Sequence, residues 1–263
     1  MKPFTIGWSR VVVMVVGCFL LGSGCIKIDA TVTLAPDGSG TMKAMYGMPT
    51  FLIKQAETVR QTTRSLLQAE GRGTNVVLPR VDIPMVFDED ALKARFSRMK
   101  SDGLQVTEYR TKEMGGWRYV DFTVKFSSLE SLARQSFFKD CGFKLGRVEG
   151  GAYRVDITLP KIGGEGGTPD FADPDRMALL TPFLNGMRVV VRLDVPGLIR
   201  QSSSSRSDSR RATWEWDFDK DGRVLERLVR DTISVEFDGD AARLREFDKR
   251  PGVTTGRPVV TTK

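Results

Sequence analysis

Three aspartates separated by single residues form the pattern with the most specific chemistry in this 263-residue chain. Asp217, Asp219 and Asp221 precede Gly222 in the order of positions 1, 3, 5 and 6 of a calcium loop of the EF-hand type. Such a loop needs a bidentate carboxylate at its twelfth position, which here is Leu228. The same spacing is typical of a strand that ends in Asx turns. We therefore predict no metal ion at this loop, with calcium binding as the alternative.

The absence of histidine excludes most catalytic templates. The chain has 40 Lys and Arg, 33 Asp and Glu and no His, so neither a Ser-His-Asp triad nor a histidine-ligated zinc or haem can form. Carboxylates on predicted strands, such as Asp121, Asp156 and Asp194, show no spacing that singles out an acid and a base. The sequence predicts a protein that is not an enzyme and that has no cofactor, and an enzyme is the third hypothesis.

Cys25 ends a segment with the layout of an export signal. Lys2 and Arg10 give a cationic start, residues 11–21 are almost wholly apolar, and small residues precede the cysteine. The apolar run is shorter than the ~20 residues that a permanent membrane helix needs. The order Leu-Leu-Gly-Ser-Gly-Cys at residues 20–25 resembles a bacterial lipobox. It predicts that residues 1–24 are removed and that Cys25 becomes lipid-modified; an ordinary secretory signal with an incidental Cys25 is the alternative.

The charge and the cysteine content of the exported chain limit the kinds of partner that it is expected to bind. Cys141 is then the remaining thiol besides Cys25, and we expect it to be buried because a thiol behaves as a small apolar group. The basic excess is mild and the aromatic residues lie on alternating core faces, so no nucleic acid is expected. A basic cluster is interpreted as part of a solvated loop, with contact to anionic lipid headgroups as the alternative. It comprises Arg200, Arg206, Arg210 and Arg211.

Alternating apolar residues predict the strands that must carry these groups. Glycine-containing turns at residues 36–40, 115–116 and 150–151 predict three hairpins. Residues 201–211 are rich in serine and arginine and are predicted to form a mobile loop. Nine strands are predicted, at residues 26–34, 42–46, 104–112, 117–126, 143–148, 153–159, 187–195, 212–218 and 231–237.

Helical periodicity predicts about four amphipathic helices against this sheet. They lie at residues 49–70, 88–102, 129–138 and 175–184, and the aspartate loop is expected to cap a further helix after Gly222. Hairpin connections with helices on an antiparallel sheet define an α+β fold. The predicted organisation is a signal peptide at residues 1–24, a single domain at 25–248 and a disordered tail at 249–263.

Several short segments together resemble the mycobacterial LppM-type lipoproteins. They are Cys25-Ile26-Lys27-Ile28-Asp29, Leu34-Ala35-Pro36-Asp37-Gly38-Ser39-Gly40, Val195-Pro196-Gly197 and Ala212-Thr213-Trp214-Glu215-Trp216. The resemblance spans most of residues 25–238. It implies an α+β lipoprotein domain that binds lipid and has no catalytic activity.

The leading hypothesis from the sequence is therefore an acyl-anchored envelope lipoprotein without enzymatic activity. Its partners are the membrane, through the lipid on Cys25, and a lipid or other hydrophobic ligand at the membrane surface. The sheet and helices are expected either to enclose this ligand or to contact lipid. The alternative is a structural or assembly lipoprotein that binds an envelope protein through a sheet face or edge. Ile26, rather than an aspartate, follows the anchor, which favours the outer membrane if the host has one.

Overall fold

The computed structural model describes residues 26–69, 103–135, 138, 141–159, 178, 181, 184–239 and 242–250, and within them the chain is mostly β-structure. The signal peptide, Cys25 and residues 251–263 of the predicted tail lie outside the described residues. Twelve strands are present: β1 (Lys27–Leu34), β2 (Gly40–Pro49), β3 (Leu104–Met114), β4 (Trp117–Phe126), β5 (Gly142–Arg147), β6 (Tyr153–Thr158), β7 (Arg188–Asp194), β8 (Ile199–Ser202), β9 (Arg206–Ser207), β10 (Arg211–Asp217), β11 (Thr232–Phe237) and β12 (Phe247–Lys249).

The strands form two sheets. Sheet A has seven strands in the order β3-β4-β2-β1-β7-β10-β9, and sheet B has five in the order β12-β5-β6-β11-β8. The described pairs are antiparallel except β1 with β7, which run parallel with Lys27 beside Arg188. The predicted α+β fold with one antiparallel sheet of about nine strands is therefore wrong. Alternation identifies a strand and its buried face, but it does not specify which other strand lies beside it.

Three α-helices lie in the described part of the chain: α1 (Thr50–Ala69), α2 (Leu129–Ala133) and α3 (Val224–Arg230). The short α2 begins in a capping box in which Ser128 and Ser131 exchange hydrogen bonds. The helix predicted at residues 88–102 lies outside the described residues, as do most residues of the one at 175–184. Four amphipathic helices packed on a sheet are therefore not the architecture of the described chain, in which strands dominate.

The inner faces of both sheets share one hydrophobic core. Tyr153 and Phe237 of sheet B are fully buried and stack with ring centroids 6.1 Å apart. In sheet A, Trp214 and Trp216 are 3% and 1% exposed. The Trp216 indole N–H donates to the Asp231 carboxylate over 3.0 Å, which satisfies its polar atom inside the core. The sheets therefore keep their polar residues on the outer faces.

The serine-rich segment at residues 201–211 is not the predicted mobile loop. β8 pairs with β11 in sheet B, and β9 pairs with β10 in sheet A, so the segment links the two sheets. The chain enters β8 past Gly197, where a Cβ atom would lie 2.0 Å from the backbone oxygen of Asp238. On the C-terminal side of the domain, Lys249 is the last residue of β12, although the disordered tail was predicted to begin at this residue.

Candidate functional site

The three aspartates of the calcium-like pattern face different partners. The Asp217 carboxylate lies 3.0 Å from the Lys220 ammonium nitrogen and also accepts a hydrogen bond from the backbone N–H of Asp219. Asp219 accepts from the backbone N–H of Gly186 over 2.9 Å, and Asp221 accepts from the backbone just before α3. In the described chain, no three His, Cys, Asp or Glu residues are grouped so that they could hold a metal ion. Absence of calcium binding at this loop stays a prediction.

The outer face of sheet A carries charges in pairs. The Arg211 guanidinium donates to both carboxylate oxygens of Asp194, over 2.5 and 2.8 Å, and Thr33 donates to the same carboxylate. The hydrogen bond from Arg211 lowers the pKa of Asp194 below its usual range. Arg192 forms a second pair with Asp29 between the parallel strands β7 and β1. This face is polar and largely self-neutralised.

On this surface the pKa values of the shifted acids are lowered and that of the shifted lysine is raised, so both kinds of group titrate further from neutral pH. Hydrogen bonds from Lys220 and then Arg188 lower the pKa of Glu215, while bonds to Asp217 and Glu215 raise the pKa of Lys220. Inside the core, burial raises the pKa of Tyr46 to about 12. These groups keep their ordinary charge states near pH 7, which does not suit general acid–base chemistry.

Two surface grooves lie among these polar residues. One has a volume of about 280 Å³ on the outer face of sheet A, and the other has about 110 Å³ beside β8 and β11. Charged and hydroxyl side chains prevail in both, whereas an enclosed acyl chain needs mostly apolar walls. The first is lined by Asp29, Thr31, Lys43, Ala44, Met45, Glu108, Arg110, Asp121, Phe122 and Thr123, and the second by Arg154, Gln201, Ser202, Ser203, Ser234 and Glu236.

The basic cluster assigned to a loop lies largely on strands. Arg200 is in β8 and donates to the Asp238 carboxylate over 2.5 Å, and Arg211 begins β10 in its pair with Asp194. Arg206 is in β9 beside Thr213. Because two of the four arginines are engaged by carboxylates, the cluster offers less positive charge to a lipid headgroup than its sequence indicates.

A different surface combines apolar and cationic side chains, and we call it the Trp117 edge: Lys27, Pro49, Phe51, Met114 and Trp117. Pro49 pairs with Trp117 across β2 and β4, and Trp117 pairs with Met114 across the β3–β4 turn. The Lys27 ammonium lies 4.0 Å from the centre of the Trp117 ring. Phe51 and Met114 are 62% and 64% exposed. Pro49 is buried and Trp117 is half-buried, so the exposed apolar surface is that of Phe51 and Met114. Two exposed apolar side chains beside a cation on a tryptophan are suited to contact a partner.

The sequence pattern did not predict this edge. It predicts the turn at residues 115–116 but gives no role to Met114 and Trp117, which flank the turn. The available signal was the pair of large apolar residues around a two-glycine turn, where polar residues are usual. Lys27 joins them only through the pairing of β1, β2 and β4, and Phe51 lies two residues after Pro49, in the first turn of α1.

The predicted lipid-attachment residue, Cys25, lies outside the described residues, and the described chain begins with Ile26. The Ile26 carbonyl already accepts a hydrogen bond from the backbone N–H of Arg188 over 3.1 Å. The expected burial of Cys141 is confirmed, since 7% of this residue is exposed. The backbone is therefore bonded to the segment of β7 from the residue after the predicted anchor, and β1 itself begins at Lys27.

The fold and surface define a mostly β domain of two sheets that share a core. No family model matches the chain, and no curated protein matches it. Among solved structures it is similar to the NMR structure of the folded domain of LppM from Mycobacterium tuberculosis, at 13% identity and a TM-score of 0.38. That similarity covers 81% of this chain and 90% of the LppM chain. Over the described residues, no helix has the length and hydropathy to cross a membrane.

Proposed function

We propose that this protein is an exported lipoprotein of the bacterial envelope, held by a lipid on Cys25, that works by binding at the membrane surface. The observation that carries the proposal is the position of β1. This strand begins at Lys27 and lies between β2 and β7 inside sheet A. A lipid on Cys25 would then be joined to the sheet without a flexible tether.

Several features favour binding over catalysis. The chain has no histidine, and two carboxylates of the outer face of sheet A, Asp29 and Asp194, lie in ion pairs with Arg192 and Arg211. The hydrogen bond from Arg211 lowers the pKa of Asp194, which does not suit a general base at neutral pH. The polar grooves do not offer an apolar chamber for a lipid tail. Contact with the membrane through the surface of the domain does not need such a chamber.

The anchor is tested with Cys25→Ser in the native host, followed by membrane fractionation in high salt without detergent. The variant is expected to lose the lipid, as measured by intact-mass spectrometry, and to accumulate as an uncleaved precursor or a soluble product. Cys18→Ser is the matched control, because Cys18 lies in the segment that is predicted to be removed. Normal acylated mass and membrane fractionation of Cys25→Ser would contradict the proposal.

An assembly lipoprotein that binds an envelope protein remains the second candidate. The observation that favours it is β3, an eleven-residue edge strand of sheet A in which Leu104 is the one buried residue. A Gly-Ser linker of about 15 residues between Cys25 and Ile26 separates the two functions, since it frees the domain from the bilayer. Function that needs membrane contact should be lost with the linker, as judged by complementation of a deletion strain. Full complementation would favour the assembly role.

A further inference from the structure

We propose that the Trp117 edge docks into the headgroup region of the bilayer that holds the anchor, with Phe51, Met114 and Trp117 in contact with lipid and Lys27 beside the phosphates. This inference rests on the proposed lipid at Cys25. It assigns an orientation to the domain and a lipid-binding role to residues of three separate segments.

Strand register places the edge beside the anchor. Lys27 is two residues after Cys25 and pairs with Gly47, and two residues further along β2, Pro49 pairs with Trp117. An extended residue spans at most ~3.6 Å, so Cys25 is within two such steps of Lys27. The row that runs from Pro49 through Trp117 to Met114 is therefore the part of sheet A that extends furthest in the direction of the acyl chains.

The side chains at this row have the chemistry of a membrane interface. The described chain has three large apolar side chains with high exposure, and two of them, Phe51 and Met114, lie here. Tryptophan is favoured at headgroup depth because its ring is apolar and its N–H is polar. Among the described residues, Lys27 forms no salt bridge, so its ammonium can meet a lipid phosphate while it rests on the Trp117 ring.

A bilayer fits this surface better than a protein does. The third exposed apolar residue, Leu198, is remote in sequence from β1 and lies just before β8 in sheet B, so exposure of this kind is concentrated at the anchor end of sheet A. A protein partner would have to enter between the edge and a membrane that is joined to Ile26 through a single residue. The short connection leaves room for the headgroups themselves.

The test measures the depth of two positions in the mature acylated protein, which begins at Cys25. Met114→Cys and Lys125→Cys are each labelled with a nitroxide in vesicles of phosphatidylethanolamine and phosphatidylglycerol. Lys125 is exposed at the far end of β4, about 26 Å from Trp117 at ~3.3 Å per residue. Cys25 is blocked by its lipid and Cys141 is buried, and the unsubstituted chain gives the background labelling.

The label at 114 is expected to gain accessibility to oxygen and to lose accessibility to a water-soluble nickel complex, while the label at 125 stays in water. Protein that floats with the vesicles while both labels are equally aqueous would overturn the docking proposal and leave the anchor intact. An aqueous label at 114 that is shielded only by an added envelope protein would favour a protein partner instead. Protein that does not float would overturn the anchor and this inference together.

Tryptophan fluorescence gives a second measurement without a label at 114. The chain has four tryptophans, of which Trp8 lies in the segment that is predicted to be removed and Trp214 and Trp216 are buried in the core. In the acylated protein without residues 1–24, quenching by brominated phospholipid should therefore come from Trp117. The quenched component should disappear in Trp117→Phe, and Trp117→Phe should still float with the vesicles. Quenching of equal size in the variant, or none in the parent protein, would contradict docking at this edge.

Discussion

Lys249 is expected to be a major stabilising contact of sheet B. Its ammonium donates to the backbone oxygens of Ala133, Phe138 and Cys141 over 2.8, 2.5 and 3.3 Å, and it lies 5.7 Å from the centre of the Phe143 ring. One side chain thereby connects the end of α2, the segment that follows it and the start of β5. The change Lys249→Met keeps most of the aliphatic stem and removes the three donors.

The size of the effect follows from the number and kind of these bonds. A hydrogen bond to a charged group contributes about 1.5–3 kcal/mol, and bonds from one nitrogen are not additive. Lys249 is only partly buried, so water can reach some of the carbonyls after the change. We expect a loss of about 3 kcal/mol in the free energy of unfolding, or about 1–2 M in the urea midpoint for a slope of ~2 kcal/mol/M.

The assay is equilibrium urea unfolding followed by tryptophan fluorescence. Lys144→Met is the matched control, since Lys144 is exposed on β5 and pairs with Asp248, the neighbour of Lys249. The control should change stability by about 0.5 kcal/mol or less, as is usual for surface positions. If Lys249→Met is no less stable than Lys144→Met, the three hydrogen bonds do not stabilise the attachment of β12 to sheet B.

Two further predictions concern ionisation and close packing. Because Arg211 lowers the pKa of Asp194 in the folded state, the pair stabilises above the unfolded value of ~3.9 and loses that contribution as pH falls through the folded pKa. Asp194→Asn should therefore lower stability by about 1 kcal/mol at pH 7 and by much less at pH 2.5, and an equal loss at both values would refute the assignment. Gly197→Ala, whose new Cβ atom would lie 2.0 Å from the Asp238 oxygen, should cost about 3 kcal/mol, whereas Gly222→Ala, with nothing within 4 Å, should be nearly neutral. Thermal unfolding compares the two alanine variants, and equal melting temperatures would show that the backbone at 197 yields easily.

The sequence predicted those features of the fold that arise from local physics. The turns at residues 36–40, 115–116 and 150–151 each lie between paired strands, and Gly38, Gly115, Gly116, Gly150 and Gly151 all have positive φ, as such turns require. The strands predicted at residues 187–195, 212–218 and 231–237 correspond to β7, β10 and β11. Their alternation was clear because one face of each strand lies in the core.

The pairing of distant strands had no comparable local signal. The parallel contact of β1 with β7 joins residues that are about 160 positions apart, and the alternation of either strand fits several neighbours equally well. β8 has no buried residue, so its sequence is typical of a loop. It is nevertheless a strand, because its backbone pairs with β11. The division of the strands into two sheets likewise depends on tertiary context, because each strand shows only its own alternation. The Trp117 edge was missed for the same reason, because its residues come from three segments.

The fixed position of β1 links the fold to the proposed site. Antiparallel hydrogen bonds to β2 and parallel ones to β7 hold both sides of the strand, and side-chain contacts of Asp29 with Arg192 and of Thr33 with Asp194 reinforce the β7 side. A strand held in this way cannot swivel about the residue before it as a linker would. If Cys25 carries a lipid, the direction in which β1 leaves the membrane sets the direction of all of sheet A. The exposed apolar residues at the near end of that sheet then face the bilayer as a consequence of strand register, and charge attraction has only to adjust the final tilt.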